Sequence, residues 1–251
     1  FGKRRNHSYG LLPDGPLFNC RLRLPQTMKK TPQEKQYQKN LDDYEEQGPV
    51  ELGLMASHLW RTDPRHLAFT LARYKHVAKL LHGKKSALEI GCGDGFASGI
   101  VQQEVPQVHG LDFDPHFVEC ARRTWGGNNA FHFFVEDMLN DSIQPQRKYE
   151  AIYSLDVIEH IKLEQEDIFL RNALKFLQPD GVAIIGSPTL ESQAYASQWS
   201  KDGHVNCKSG YELKSLLEKH FKQVFLFGMN DETLHTGYSK MAHYNLALAV
   251  S

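Results

Sequence analysis

The stretch Leu88-Glu-Ile-Gly-Cys-Gly-Asp-Gly95 decides the fold, because an apolar strand runs here directly into a glycine-rich loop. Glycine lets the backbone turn sharply and approach a ligand where a Cβ atom would block it. A second apolar run ends at Asp112, where a carboxylate is placed to accept hydrogen bonds from two ribose hydroxyls. The loop departs from the dinucleotide-binding pattern G-x-G-x-x-G, because Phe96 stands where the third glycine is required.

Composition sets the limits of what the chain can be. Its 251 residues fit one α/β domain with an N-terminal extension, and an apolar share of 41% suffices for a core. A formal net charge of −1 gives no overall field that would attract nucleic acid or an anionic membrane. There is no apolar run of about 18 residues and no secretory signal, so no membrane-spanning helix is expected. The cysteines show no C-x-x-C or zinc spacing, which favours reduced thiols in a cytoplasmic protein.

The N-terminal part of the chain differs from the rest. Residues 1–30 are basic and rich in proline, so we expect an irregular leader or extension. Met28 is a candidate natural start, which would leave residues 1–27 as a leader, a tag or readthrough, and a transit peptide is the alternative. Residues 31–83 predict a helical cap over the ligand, with Pro64 at the first position of its last helix.

From residue 84 to residue 251 the chain alternates between strands and helices. Short apolar runs predict strands at residues 87–90, 108–111, 130–135, 151–155 and 182–186. Repeated βα units of this length predict an α/β domain with a doubly wound, mostly parallel sheet and helices on both faces. Two final strands, at residues 224–227 and 244–250, have no helix-length pattern between them, which favours an antiparallel pair.

The pattern E-x-G-x-G-x-G from Glu89 to Gly95, with the later acid Asp112, resembles the cofactor loop of class I S-adenosylmethionine-dependent methyltransferases. The resemblance covers about residues 87–186. It implies a seven-stranded Rossmann-like methyltransferase fold, whose last strand runs antiparallel between the fifth and sixth. It also implies S-adenosyl-L-methionine as the cofactor.

The resemblance further implies which residues bind that cofactor at the carboxyl ends of the first four strands. The glycine-rich loop would hold the methionine end, Asp112 the ribose hydroxyls and Asp137 the adenine amino group, although Asp137 has a helix-capping alternative. Met138 and Phe113 would lie against the two faces of the adenine ring. Arg73 matches an arginine that holds the cofactor carboxylate in related families, and a solvated helix arginine is the alternative. The complete candidate set is Arg73, Glu89, Gly91, Cys92, Gly93, Asp112, Phe113, Asp137, Met138, Ser154 and Leu155.

The segment Asp156-Val-Ile-Glu159-His160 is a candidate metal and catalytic motif. Positions i, i+3 and i+4 lie on one face of a helical turn, and oxygen and imidazole ligands suit a divalent cation. The segment resembles the E-x-x-E-H metal motif of ubiquinone-pathway O-methyltransferases and small-RNA 2′-O-methyltransferases, with the shorter Asp156 in place of the first Glu. This implies a candidate Mg²⁺ or Mn²⁺ site at Asp156, Glu159 and His160, and His204 from the later connection is a candidate further ligand. A metal-free pocket wall is the alternative.

The connection over residues 187–209 is long enough to form an active-site lid. A histidine side chain ordinarily titrates near neutral pH, so its His204 is a candidate catalytic base, with a helix-start histidine as the alternative. Asp156 and Glu159 are the other candidate catalytic residues. Methyl transfer from a sulfonium requires alignment, exclusion of water and, for a hydroxyl acceptor, removal of a proton.

The resemblance implies a methyltransferase acting on the hydroxyl of a small molecule, such as a sugar, a sugar nucleotide or a secondary metabolite. One alternative is a divalent-metal-dependent RNA 2′-O-methyltransferase, and another is a non-catalytic, cofactor-binding regulatory subunit. We expect a small-molecule acceptor as the partner, and neither nucleic acid nor a membrane. The oligomeric state, including a homodimer, stays open.

Overall fold

The computed structural model describes residues 31–251, so the predictions for residues 1–30 lie outside the described part of the chain. The chain divides into two compact units, of which the first ends at Pro49 and the second comprises residues 50–251. In the first unit, a 3₁₀ turn at Lys35–Tyr37 leads into α1 (Gln38–Gln47), which buries none of its residues. The domain boundary expected at residue 83 stays a prediction. No helix within residues 31–251 combines the length and apolar character needed to cross a bilayer.

The second unit begins with two helices, α2 (Leu54–Thr62) and α3 (Pro64–Leu80). The side chain of Asp63 accepts the backbone N–H of His66, and Pro64 occupies the first turn of α3, as the sequence predicts. Apolar side chains on one stripe of α3, including Leu67 and Val77, are buried. This stripe fixes α3 against the sheet that follows it in the chain.

The sheet contains eight strands in the order β3-β2-β1-β4-β5-β8-β6-β7. The strands are β1 (Ser86–Ile90), β2 (Gln107–Asp112), β3 (Phe131–Val135), β4 (Tyr149–Leu155), β5 (Leu177–Pro188), β6 (Gln223–Asn230), β7 (Thr233–His235) and β8 (Tyr244–Val250). The first five run parallel, and β8 lies antiparallel between β5 and β6. The predicted doubly wound sheet with an antiparallel last strand is thus confirmed. The structure adds the short edge strand β7, which a tight turn at Asp231 pairs with β6.

Helices cover both faces of this sheet. The remaining ones are α4 (Ser98–Gln102), α5 (Pro115–Trp125), α6 (Glu166–Lys175), α7 (Gln198–Gly203) and α8 (Gly210–Leu217). On one face, Ile152 and Ile185 pack with residues of α6 and α8, and on the other, Tyr153 packs with residues of α3 and α4. Alternate side chains of each central strand therefore enter opposite cores, because successive residues of a strand point to opposite faces.

Candidate active site

A cavity of about 610 Å³ opens at the carboxyl ends of β1, β2 and β4. This is where the strand order reverses, which is the place where open α/β sheets bind ligands. The glycine-rich loop lines it, and Gly91, Gly93 and Gly95 have φ values of +78°, +52° and +66°. A Cβ atom on Gly91 would lie 2.3 Å from Cγ2 of Val157. The loop therefore requires glycine here for both backbone conformation and space.

Asp112, the last residue of β2, is hydrogen-bonded to this loop. Its Oδ2 accepts the backbone N–H of Gly93 at 2.9 Å, and its Oδ1 accepts that of Asp114 at 3.0 Å. Burial raises the pKa of Asp112, while these backbone hydrogen bonds oppose the rise. Each carboxylate oxygen keeps a further lone pair, so the side chain can still accept a ribose hydroxyl.

Eight of the eleven predicted cofactor residues line the cavity: Gly91, Cys92, Gly93, Asp112, Phe113, Asp137, Met138 and Leu155. Asp137 also accepts the backbone N–H of Leu139 at 2.9 Å, so it caps a turn while facing the cavity. Phe113 is 73% exposed, which leaves one face of its ring open to a ligand. The other three predicted residues, Arg73, Glu89 and Ser154, lie outside the lining.

Glu89 lies beneath the cavity instead of at its surface. The side chain is buried, and it accepts hydrogen bonds from the hydroxyls of Tyr74 at 2.7 Å, Tyr153 at 2.9 Å and Ser98. Burial raises its pKa to about 7, although these donors favour the charged form. Glu89 therefore connects α3, α4 and β4. The structure gives it a structural role below the loop, and its direct contact with the cofactor stays a prediction.

Ser154 is likewise buried and donates its hydroxyl hydrogen to the carbonyl oxygen of Ile90 at 3.0 Å. This bond links the ends of β4 and β1. The hydroxyl hydrogen is thus already used between two strands, and Ser154 lies outside the cavity lining, so its cofactor contact stays a prediction.

Arg73 is buried and lies outside the cavity lining, to which its partner Asp156 belongs. Its Nη1 donates to Oδ2 of Asp156 at 2.6 Å, and its guanidinium lies 3.9 Å from the ring centroid of Tyr244. Burial lowers the pKa of Arg73, but Asp156 and Tyr244 raise it more, so the net pKa is raised. Asp156 itself has φ +57°, a left-handed conformation that few non-glycine residues adopt. The solvated-helix interpretation is wrong, because Arg73 is buried and paired with Asp156, while its contact with the cofactor carboxylate stays a prediction.

Three of the four predicted metal ligands come together beside this pair. One ligand atom each from Glu159, His160 and His204 lies within 4.8 Å of the other two. Glu159 and His160 lie on a 3₁₀ turn after β4, and His204 directly follows α7. Asp156 does not belong to this cluster. Its carboxylate is paired with Arg73 instead, and its assignment as a ligand stays a prediction that this pairing disfavours.

The hydrogen bonds of the two imidazoles define which nitrogen of each can bind a cation. Nδ1 of His160 lies 2.8 Å from the carbonyl oxygen of Gly203, and Nδ1 of His204 lies 2.9 Å from Oε1 of Gln193. The side-chain amide nitrogen of Gln193 donates to the carbonyl oxygen of Thr189, which leaves the side-chain oxygen Oε1 facing His204. This oxygen can only accept a hydrogen bond, so Nδ1 of His204 has to be the donor. Both Nδ1 atoms therefore carry hydrogen, which leaves each Nε2 with a free lone pair.

Glu159 supplies the test of whether a cation fits. The side chain is 1% exposed, and neither of its oxygens has a hydrogen-bond partner among the described residues. Burial raises its pKa well above the usual range, and the nearby Asp156 adds to the rise. A buried carboxylate without a partner is costly unless a proton or a cation neutralises it. The cluster of Glu159, His160 and His204 thus fits a divalent cation with oxygen and nitrogen ligands.

The remaining wall of the cavity is mostly apolar. Met55 and Leu59 come from α2, Leu67 and Leu71 from α3, and Ile161 from the segment after the 3₁₀ turn. The described lining includes His160 but no lysine, arginine or His204. Helical apolar spacing indicated that these N-terminal segments would lie near the ligand. Sequence reasoning did not identify Asp94, which lines the cavity and also contacts α2.

The fold, the glycine-rich loop and the acid at the end of β2 define a class I S-adenosylmethionine-dependent methyltransferase. The family model described as "Methyltransferase domain" matches residues 59–220. The chain therefore belongs to this methyltransferase family.

Curated relatives include enzymes with different acceptors. Phosphoethanolamine N-methyltransferase of Plasmodium falciparum is 29% identical over 106 residues, which are 42% of this chain and 40% of that protein. Ubiquinone biosynthesis O-methyltransferase of Rickettsia akari is 26% identical over 143 residues, 55% of this chain and 54% of that protein. The chain thus spans about half the length of the curated relatives it matches.

The fold also matches solved structures. One is the plantazolicin methyltransferase BpumL in complex with a pentazolic desmethylPZN analog and SAH, with a TM-score of 0.59 and 15% identity. The match covers 78% of this chain and 89% of that one. At this identity the likeness concerns the fold alone.

Proposed function

We propose that this chain transfers a methyl group from S-adenosylmethionine to a hydroxyl group of a small-molecule acceptor. One observation carries the proposal: the cavity that the glycine-rich loop lines has an apolar wall, and His160, the member of the cluster with Glu159 and His204 that lines the cavity, stands beside it. The apolar wall favours an acceptor with an aromatic or aliphatic body. His160 brings the polar cluster to this wall, and the cluster would serve to deprotonate a hydroxyl of that acceptor.

The protein's own groups perform the remaining tasks. The glycine-rich loop and Asp112 hold the cofactor, while the apolar wall orients the acceptor and excludes water, so that the reacting atoms are aligned. Burial and then His160 lower the pKa of His204, which keeps its imidazole neutral and able to accept a proton near pH 7. His204 is thus the proposed base if no metal is used.

We further propose that Glu159, His160 and His204 would hold Mg²⁺ or Mn²⁺. The unpartnered carboxylate of Glu159 and the two free Nε2 atoms support this proposal. Such a cation supplies a lower pKa for the acceptor hydroxyl. The carbonyl of Gly203 would then keep His160, and Gln193 would keep His204, in the tautomer that carries hydrogen on Nδ1.

The charges around the cavity favour a small molecule over RNA. The described lining carries the acids Asp94, Asp112, Glu136, Asp137 and Asp156, and it contains no lysine or arginine. RNA binding depends on cationic side chains that neutralise phosphates. The phosphates of an RNA substrate would therefore find carboxylates and no neutralising cation in the described lining.

The test is a methyl-transfer assay with labelled S-adenosylmethionine and a panel of phenols, catechols, sugars and short RNAs. We expect methylation of a small-molecule hydroxyl and none of RNA. Methylation of RNA alone would overturn the acceptor class, and cofactor binding without turnover on any acceptor would favour the regulatory-subunit alternative.

Chelation separates the two roles of the cluster. Loss of turnover in EDTA and its return with Mn²⁺ would support the metal, as would Mn²⁺ binding by calorimetry that Glu159→Gln abolishes. Turnover unchanged by EDTA would reject the metal. In that case His204→Ala should abolish turnover with unchanged affinity for S-adenosylhomocysteine, while the exposed His82→Ala should behave as wild type.

A further inference from the structure

Helix α2 begins directly against the glycine-rich loop, and a side chain of that loop caps it. The N-cap residue of α2 is Gly53, which has no side chain to accept the N–H groups of the first turn. Oδ2 of Asp94 caps the helix instead, because it accepts the backbone N–H of Met55 at 2.8 Å and that of Ala56 at 3.0 Å. The first turn of α2 is therefore satisfied only when the loop is in place.

The contact between the two segments is close. A Cβ atom on Gly53 would lie 2.3 Å from Oδ2 of Asp94, and one on Gly93 would lie 3.0 Å from Sδ of Met55. Gly53 has φ −65° and ψ −177°, which alanine also adopts, so the space taken by Asp94 is what requires glycine there. Oδ1 of Asp94 accepts the N–H of Phe96 at 3.2 Å, so its own loop orients the carboxylate.

Both partners of this contact also form the cavity. Asp94 is 6% exposed and lies in the lining, and so do Met55, Ala56 and Leu59 of α2. The helix is thus a wall of the site, and its position depends on a residue of the loop that holds the cofactor.

We propose that Asp94 is a positioning residue that fastens α2 over the cofactor site and couples the docking of α2 to cofactor binding. The proposal rests on cofactor binding at this loop, and it gives Asp94 no part in the chemical step. A cofactor that orders the loop stabilises the cap on α2. By linkage, the docked helix then stabilises the bound cofactor by the same free energy. Asp94 therefore slows cofactor release.

The test is the dissociation rate of S-adenosylhomocysteine from the full chain, measured for wild type, Asp94→Ala and Gly53→Ala. Loss of an N-cap acceptor typically costs about 1 kcal/mol, so we expect release to be about five- to tenfold faster in Asp94→Ala. Gly53→Ala should show a similar increase, because its methyl group displaces α2 from an intact Asp94. Asp94→Asn should restore most of the slow release, since its amide oxygen can accept the same two N–H groups.

Asp63→Ala is the matched control. Asp63 also caps a helix, α3, by accepting the N–H of His66 at 3.2 Å, but it does not line the cavity. We expect its release rate to stay within about twofold of wild type. Equal acceleration by Asp63→Ala, or wild-type release from both Asp94→Ala and Gly53→Ala, would overturn the coupling.

Hydrogen exchange provides a second measurement that does not depend on turnover. S-adenosylhomocysteine should slow amide exchange in residues 54–62 of wild type and leave it unchanged in Asp94→Ala. Equal protection in both proteins would contradict the coupling and leave the proposed function intact. A wild-type chain that binds no S-adenosylhomocysteine would contradict both proposals.

Discussion

Glu89 should make the folded chain less stable as the pH rises from about 4.5 to 7. Burial raises the pKa of this carboxyl group from 4.5 to about 7 in the folded chain. Between these values the folded chain holds one more proton than the unfolded chain, so the stabilisation present below pH 4.5 is lost as the pH rises through 7. A difference of about 2.5 in pKa corresponds to at most about 3 kcal/mol.

Glu89→Gln removes this titration, and urea unfolding at pH 4.5 and pH 8 measures the effect. The free energy of unfolding of wild type, relative to the variant, should fall by about 2–3 kcal/mol between these pH values. The free energy of unfolding falls by about 3 kcal/mol per molar urea. The urea midpoint of wild type should therefore shift, relative to that of Glu89→Gln, by roughly 0.7–1 M between the two pH values. The amide also loses acceptor capacity for Tyr74, Tyr153 and Ser98, but that loss does not depend on pH.

The comparison with the variant is needed because histidines titrate over the same range. Burial lowers the pKa of His109 to about 4, so this residue makes the folded chain more stable as the pH rises from about 4 to 6.5. Its contribution is the same in wild type and Glu89→Gln, and it cancels in the difference. Parallel pH profiles for the two proteins would refute the raised pKa of Glu89 in the folded chain.

Three further changes test other parts of the structure. Arg73→Met should lower the free energy of unfolding by about 2–4 kcal/mol, because it leaves Asp156 without its partner, and a urea midpoint equal to wild type would contradict this. Asp112→Asn should weaken S-adenosylmethionine binding, measured by calorimetry, at least about tenfold, since a hydrogen bond to a charged group is typically worth about 1.5–3 kcal/mol. Unchanged affinity would show that Asp112 does not bind the cofactor. Gly99→Ala should lower the melting temperature, because its Cβ would lie 2.3 Å from the ring of Trp125, and overpacking typically costs about 1–3 kcal/mol; an unchanged melting temperature would show that the ring can move.

The sheet was predictable because each of its central strands carries a short apolar run with a local turn signal. The antiparallel pairing of β8 with β6 followed from the connection between them, which has no helix-length apolar pattern, whereas its place between β5 and β6 was implied by the resemblance to methyltransferases. Strand β7 has only three residues, Thr233–His235, and no apolar alternation that could be recognised. Its pairing with β6 depends on the turn at Asp231, whose φ is +48°. A strand of this kind follows from turn geometry, which the hydrophobic pattern does not encode.

The site was predictable where the chemistry is local to one segment. The glycines of the loop themselves indicate its turned backbone conformation, so the position of the loop at the cavity could be predicted from the sequence. Glu89 belongs to the same motif, but three hydroxyls on three other elements determine its environment. Arg73 and Asp156 are 83 residues apart, and Asp94 and Met55 are 39 apart. Pairings at such separations arise from the tertiary fold, and no spacing rule within one helix or strand predicts them.

Of the four residues predicted as metal ligands, Asp156 pairs with Arg73, whereas Glu159, His160 and His204 form a cluster. The left-handed backbone of Asp156 and its 2.6 Å contact with Arg73 direct its carboxylate to the guanidinium, which itself stacks on Tyr244. Recruiting Asp156 as a ligand would leave Arg73 buried without its partner, at a cost of several kcal/mol. The proposed metal site therefore has three protein ligands. Catalytic metal sites often have three protein ligands as well, since the remaining positions are then open to the acceptor's oxygens.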